Sequence, residues 1–126
     1  MLCPNTNKSH DEILKEEFLQ ERAAVLGRAG DSLSEALKTL HHIECQIEAG
    51  LDRLRDMEAH IGQNGLRRQA VLEINREINK YNRAREYALL RYYYLIVTRE
   101  AMGMRRHHWV EQQYSVPPKK RHLQNL

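Results

Sequence analysis

His41, Cys45 and Glu48 stand four and then three residues apart. On a helix that spacing stacks all three side chains on one face. Imidazole, thiolate and carboxylate are each zinc ligands, so this trio is the first candidate metal site in the chain. Its coordination would have to be completed from an opposing element. The stretch that an antiparallel partner would bring there holds Asn79, Asn82 and Arg83, with no second His/Cys group. A carboxylate two-metal bundle needs Glu-x-x-His on two helices, and His41-x-x-Glu44 has the reverse order. The simpler reading is a set of solvated helix-face residues, and neither a metal nor another cofactor is expected.

His107-His108 beside Trp109 is the second place where acid–base or metal chemistry could reside. Neighbouring helical residues point about 100° apart, so the two rings would not share one ligand easily. Trp109 reads as a packing anchor. The chain has no glycine-rich phosphate loop, no GxSxG and no CxxC. No catalytic residue is therefore assigned and a non-enzymatic protein is expected. A metal-dependent helical-bundle enzyme is the most distant alternative.

The third set is basic. Arg105, Arg106, Lys119, Lys120 and Arg121, with Arg99 upstream and Trp109 and Tyr114 interleaved, could grip phosphates while the rings stack on bases. Nucleic acid is thus the alternative partner. The net charge of +3 hides a split: residues 1–65 carry 7 Lys/Arg against 12 Asp/Glu, and residues 66–126 carry 13 against 5. Two antiparallel arms of complementary charge account for most of that split. Val116–Lys119 offers a weaker option, a short proline-rich segment for a partner's groove.

The elements that must position these residues are helices. The mean hydropathy is −0.73 and 29% of residues are charged, a composition that suits elongated helices better than a ball. Ser9-His10-Asp11-Glu12 is a capping box, and it opens a first helix over about 10–28 with Leu14, Phe18 and Val25 on its apolar stripe. Gly27-Arg28-Ala29-Gly30 is expected to end it. A second helix, capped by Asp31 or Ser32, runs over about 32–61, with a seam of Leu33, Leu37, Leu40, Ile47, Leu51, Leu54 and Ile61 interrupted by Glu44 and Glu58. After a turn at Gly62-Gln63-Asn64-Gly65, the third runs over about 66–102, with an extension to 112 allowed. Its seam of Val71, Ile74, Ile78, Tyr81, Ala88, Tyr92, Leu95 and Met102 is interrupted by Arg85 and Arg99.

Tyr92–Val97 is six aromatic or aliphatic residues in a row and would suit a strand. The helical phase nevertheless passes through it unbroken, and no Gly or Pro falls between Gly65 and Gly103 to supply the turns a strand needs. The fold class is therefore all-α: a long antiparallel, coiled-coil-like hairpin with a shorter N-terminal third helix in a single domain over 1–113. Pro117-Pro118 rules out helix near the C-terminus, so 114–126 is an extended or disordered basic tail.

Hairpin geometry pairs residues whose numbers sum to about 127. Glu44 should face Tyr81–Arg85, and Glu58 should face Arg67 or Arg68. Because 92–97 occupies a whole helix circumference, one neighbour cannot cover it. The first helix, reversing at Gly27–Gly30, is the expected cover, and a second copy of the chain covers the remainder. Phe18, Tyr92, Tyr93, Tyr94, Ile96 and Val97 are the expected homodimer interface. Two isolated cysteines, no signal-peptide pattern at the N-terminus and no run of about 20 apolar residues argue for a cytoplasmic protein with no membrane partner. The expected function is a helical oligomerisation scaffold or regulatory interaction protein, with a protein partner that the sequence does not identify.

Overall fold

The computed structural model describes residues 8–59 and 64–124. Three helices follow in order: α1 (His10–Glu58), α2 (Asn64–Ala101) and α3 (His108–Gln113). Among the described residues there is no strand, and 92–97 is helical. No described helix is long and apolar enough to cross a membrane. The turn expected at 62–65 and the seam position Ile61 fall largely outside the described residues; α2 is already helical at Asn64.

Helix α1 begins as its sequence dictates. Ser9 is the N-cap in extended conformation, and its hydroxyl accepts from the Glu12 amide at 3.2 Å, relieving one orphan donor of the first turn. The expected break at Gly27–Gly30 does not occur. One helix of 49 residues replaces the two expected over 10–28 and 32–61, and Asp31 and Ser32 lie inside it rather than capping it. A helical glycine costs only about 1 kcal/mol relative to alanine. Burial of Ala29 and Leu33 on either side of Gly30 outweighs that. A Cβ at Gly30 would stand 3.2 Å from the Tyr114 hydroxyl. Gly30 is small to admit a neighbour, not to turn the chain.

Helices α1 and α2 pack antiparallel along one apolar seam. Leu40, Ile47, Leu54, Val71, Ile74, Ile78 and Tyr81 form its buried core. At Gly50 the helices approach so closely that a Cβ would meet Ile74 Cγ1 at 3.0 Å. The expected register holds to within a few residues: Glu58 pairs with Arg67 at 3.2 Å, and Glu44 lies against Tyr81.

Helix α2 ends in a left-handed glycine. Gly103 has φ +87°, its amide donates to the Glu100 carbonyl, and the Met104 amide donates to the Arg99 carbonyl, each at 2.9 Å. This is a Schellman termination. The chain then reverses, so α3 is a separate short helix rather than an extension of α2. Val110 is its buried residue, lodged among Ala29, Leu33 and Leu95 with Tyr92 and Ile96 alongside. The cover for the Tyr92–Val97 end thus comes from the C-terminal side of the chain. The expected first helix instead continues past the end of α2, and residues 10–21 are exposed throughout. That overhang is about 18 Å long at 1.5 Å per residue.

Candidate interaction surfaces

Two surfaces are built by these elements. The first is apolar and lies at the open end of the hairpin, away from the link between α1 and α2. The α1 seam of Leu40, Ala36, Leu33 and Ala29 continues in phase through Leu26 towards Phe18 and Leu19, but α2 has ended by then. Phe18 is 59% exposed and Leu19 60%. On the outer face of α2, Leu90, Tyr93, Tyr94 and Val97 are exposed as well, Leu90 and Val97 at 63%. The expected interface set therefore divides. Phe18, Tyr93, Tyr94 and Val97 face outward, whereas Tyr92 and Ile96 pack inward beside Val110. The guanidinium of Arg22 lies over the Phe18 ring at 5.4 Å and donates to the Met102 carbonyl, tying the base of the overhang to the end of α2. Arg91 sits over Tyr94 at 4.9 Å.

The second surface is a polar groove occupied by the tail. Residues 114–124 form no helix or strand and are docked on the hairpin. They run antiparallel to α2. Arg85 Nε donates to the Pro117 carbonyl at 2.7 Å, and the Tyr81 hydroxyl donates to that of Pro118 at 3.5 Å. Asn82 makes a two-point contact with Lys120: its amide nitrogen donates to the carbonyl and its amide oxygen accepts from the backbone N–H, both at 3.0 Å. Asn75 does the same with Leu123, at 3.2 and 2.7 Å. Between them, Asn79 bonds the His122 side chain. The spacings are commensurate: seven helical residues from Asn75 to Asn82 advance about 10.5 Å, and three extended residues from Lys120 to Leu123 advance about 10 Å. Side chains add to the grip. Lys120 pairs with Glu44 at 3.2 Å and lies over the Tyr81 ring at 4.8 Å, and Leu123 packs against the main core. Burial, then the Glu44 carboxylate, hold the Tyr81 hydroxyl above its usual pKa despite the opposing effect of Arg85.

The three asparagines were missed as recognition groups at the level of sequence. Their spacing of four and three was visible, but the partner is main chain, which leaves no complementary residue type to search for.

The basic set is divided by this geometry. Lys119 lies 3.8 Å from Glu86 and Lys120 is held by Glu44. Arg121 is exposed beside the groove, and Arg105 and Arg106 are exposed in the loop after α2. The Arg106 carbonyl is tied to Arg99 at 2.9 Å and the Lys120 backbone to Asn82, positions some 25 Å apart along α2. His107 secures the loop: its Nδ1 accepts from Arg99 Nε at 3.4 Å and its Nε2 lies 3.2 Å from the Glu100 carboxylate. Trp109, expected as the anchor, is 58% exposed and meets the Tyr114 ring edge-on at 6.3 Å. The neighbouring Val110 takes the anchoring place. Of the metal trio, His41 Nε2 and Cys45 Sγ are 3.6 Å apart; among the described residues no group of three or more His, Cys, Asp or Glu side chains could hold a metal ion.

No protein-family model, curated protein or solved structure matches this chain. Its own surfaces are therefore the ground for a functional reading.

Proposed function

We propose that the chain is a non-enzymatic helical scaffold or regulatory interaction protein that associates as a homodimer through its open end. One observation carries the reading: the apolar seam of α1 outruns its partner helix and leaves Phe18 and Leu19 in solvent. Covering a side chain of this size contributes about 1.5–3 kcal/mol. A two-fold arrangement covers each such residue twice, once per protomer, because the same patch is used on both sides. Tyr93, Tyr94 and Val97 form a second exposed apolar set on the outer face of α2, and aromatic side chains are favoured at the centre of interfaces. A reducing, cytoplasmic setting belongs to the same reading and is supported by the free, exposed thiol of Cys45.

Light scattering tests the assembly. The wild-type chain is expected at twice its 14.9 kDa mass. Tyr93→Glu combined with Tyr94→Glu, and separately Phe18→Glu, are expected to lower the mass to that of one chain with helicity retained. A single-chain mass for the wild type overturns the dimer. A double mass that survives all three substitutions removes the interface from the open end.

A further inference from the structure

The tail-filled groove has properties that a simple intramolecular clamp does not need. Asn75, Asn82, Arg85 and Tyr81 bond the carbonyls and amides of the tail and not its side chains. Such contacts fit any extended segment, with side-chain pockets adding selectivity. The tail is held by polar contacts more than by burial. No described residue after Val110 is fully buried, and Ser115, Pro118, Lys119, Arg121 and His122 are exposed. It also fits imperfectly. A cavity of about 200 Å³ remains between Leu37, Leu40, His41, Glu44 and Tyr81, beside Ser115 and Pro117 of the tail. Leu37 and Leu40 form the apolar half of its lining, His41 and Glu44 contribute to the polar half, and a small hydroxyl side chain stands next to it.

We propose that this groove is a docking site for an extended, proline-containing basic segment of a partner protein, and that the tail is its resident competitor. The tail's own contacts define the ligand. It carries two residues lacking an amide proton where Pro117 and Pro118 present carbonyls to Arg85 and Tyr81, a lysine or arginine facing Glu44, and an aliphatic residue three positions later on the core. A bulky apolar side chain at the place of Ser115 fills the cavity that the tail leaves open. Because the tail is tethered, it competes as a local high concentration, and the partner segment wins by that extra burial. The site is independent of the open-end apolar surface, so it stands or falls separately from the dimer.

The test uses the full-length chain with Lys120→Glu and Leu123→Asp, which remove the Glu44 ion pair and the core contact of the tail. A fluorescent peptide of residues 114–124 is titrated by anisotropy. The loosened chain is expected to bind it about tenfold or more tightly than the wild-type chain, whose own tail occupies the groove. A peptide with Ser115→Leu is expected to bind the loosened chain about tenfold more tightly again, near the gain of two or so buried methylenes. Asn75→Ala with Asn82→Ala in the loosened chain is expected to abolish binding at unchanged helicity, and Glu44→Lys is expected to restore binding of a peptide carrying Lys120→Glu. Absence of binding to a helical loosened chain overturns the proposal, as does binding indifferent to the two asparagines. A Ser115→Leu peptide that binds no better overturns the assigned ligand. A wild-type dimer that dissociates on Lys120→Glu with Leu123→Asp means that tails are exchanged between copies, and it overturns the partner reading.

Discussion

Replacing Gly27 by alanine probes α1 at the place where the sequence argues for a break. In the structure Gly27 is helical and exposed, and an added Cβ meets nothing within 4 Å. Leu26 and Ala29 on either side of it contribute to the cluster around Leu33 and Val110, so the helix is locked there in the folded state. Alanine then gains the helix-propensity difference of about 0.8–1.0 kcal/mol without an opposing contact, largely by restricting the unfolded chain. For a domain of this size that corresponds to a rise in Tm of about 3–5 °C. Two other glycines calibrate the result. Gly30→Ala has the same propensity gain, but its Cβ stands 3.2 Å from the Tyr114 hydroxyl, so Tyr114 must yield and the gain shrinks or reverses. Gly103 has φ +87°, and alanine there costs about 1–2 kcal/mol. Thermal and urea unfolding followed by far-ultraviolet circular dichroism give all three signs. A fall of several degrees for Gly27→Ala would refute the continuous helix, because only a glycine turning the chain is penalised that way.

Gly50→Leu should cost about 1–3 kcal/mol in urea unfolding, since its Cβ would already be 3.0 Å from Ile74 Cγ1 and overpacked cores yield by shifting; an unchanged midpoint would mean that the helices do not approach there. High pH should destabilise the chain. Tyr81 has its pKa raised above 10 by burial and Glu44, and Tyr92 by burial, then Glu111 and Tyr93. The folded state thus holds these protons more tightly than the unfolded one, so stability is full below about 10 and falls as pH rises beyond it. Tyrosinate also cannot donate to the Pro118 carbonyl, so the tail should loosen over the same range. Tyr81→Phe is expected to flatten the alkaline limb of the unfolding curve; an identical limb would remove Tyr81 from it.

Most of the hairpin was legible because its signals are periodic. The steps of three and four through Leu33, Leu40, Ile47, Leu54 and their counterparts on α2 fix which faces meet. Glu58 and Arg67 confirm the register, and the unbroken phase through 92–97 excludes a strand. What was misread turned on residues with two physical roles. Glycine both weakens a helix and admits a close neighbour. At Gly30 the neighbour is Tyr114, near the other end of the chain, and no local pattern reveals it. The cover for the Tyr92 end was sought in the N-terminal helix. The helix-stop chemistry at Gly103 and the apolar Val110 were present in the sequence, but a six-residue helix has too short a period to announce which way it folds back. Asn75, Asn79 and Asn82 sit in a stretch without His or Cys, and the amides of Asn75 and Asn82 match a backbone rather than another side chain.

The polar members of the seam explain where the C-terminal segment attaches. Four charged residues interrupt the apolar positions, and each has a partner. Glu58 meets Arg67 across the helices. The other three are met by the C-terminal segment: Glu44 by Lys120, Arg85 by the Pro117 carbonyl, and Arg99 by the Arg106 carbonyl and His107. In a bare two-helix rod Glu44 would keep the Tyr81 hydroxyl and Arg85 the Glu86 carboxylate, but each half-buried charge would lose a partner. The returning segment converts them into docking points, so the seam's apparent defects are where α3 and the tail attach. Docking and helix pairing are therefore coupled. A ligand that displaces the tail must replace its contacts with Glu44 and Arg85 or leave the hairpin weaker. That requirement selects a cation and a free carbonyl at matching positions, the same features that the tail presents.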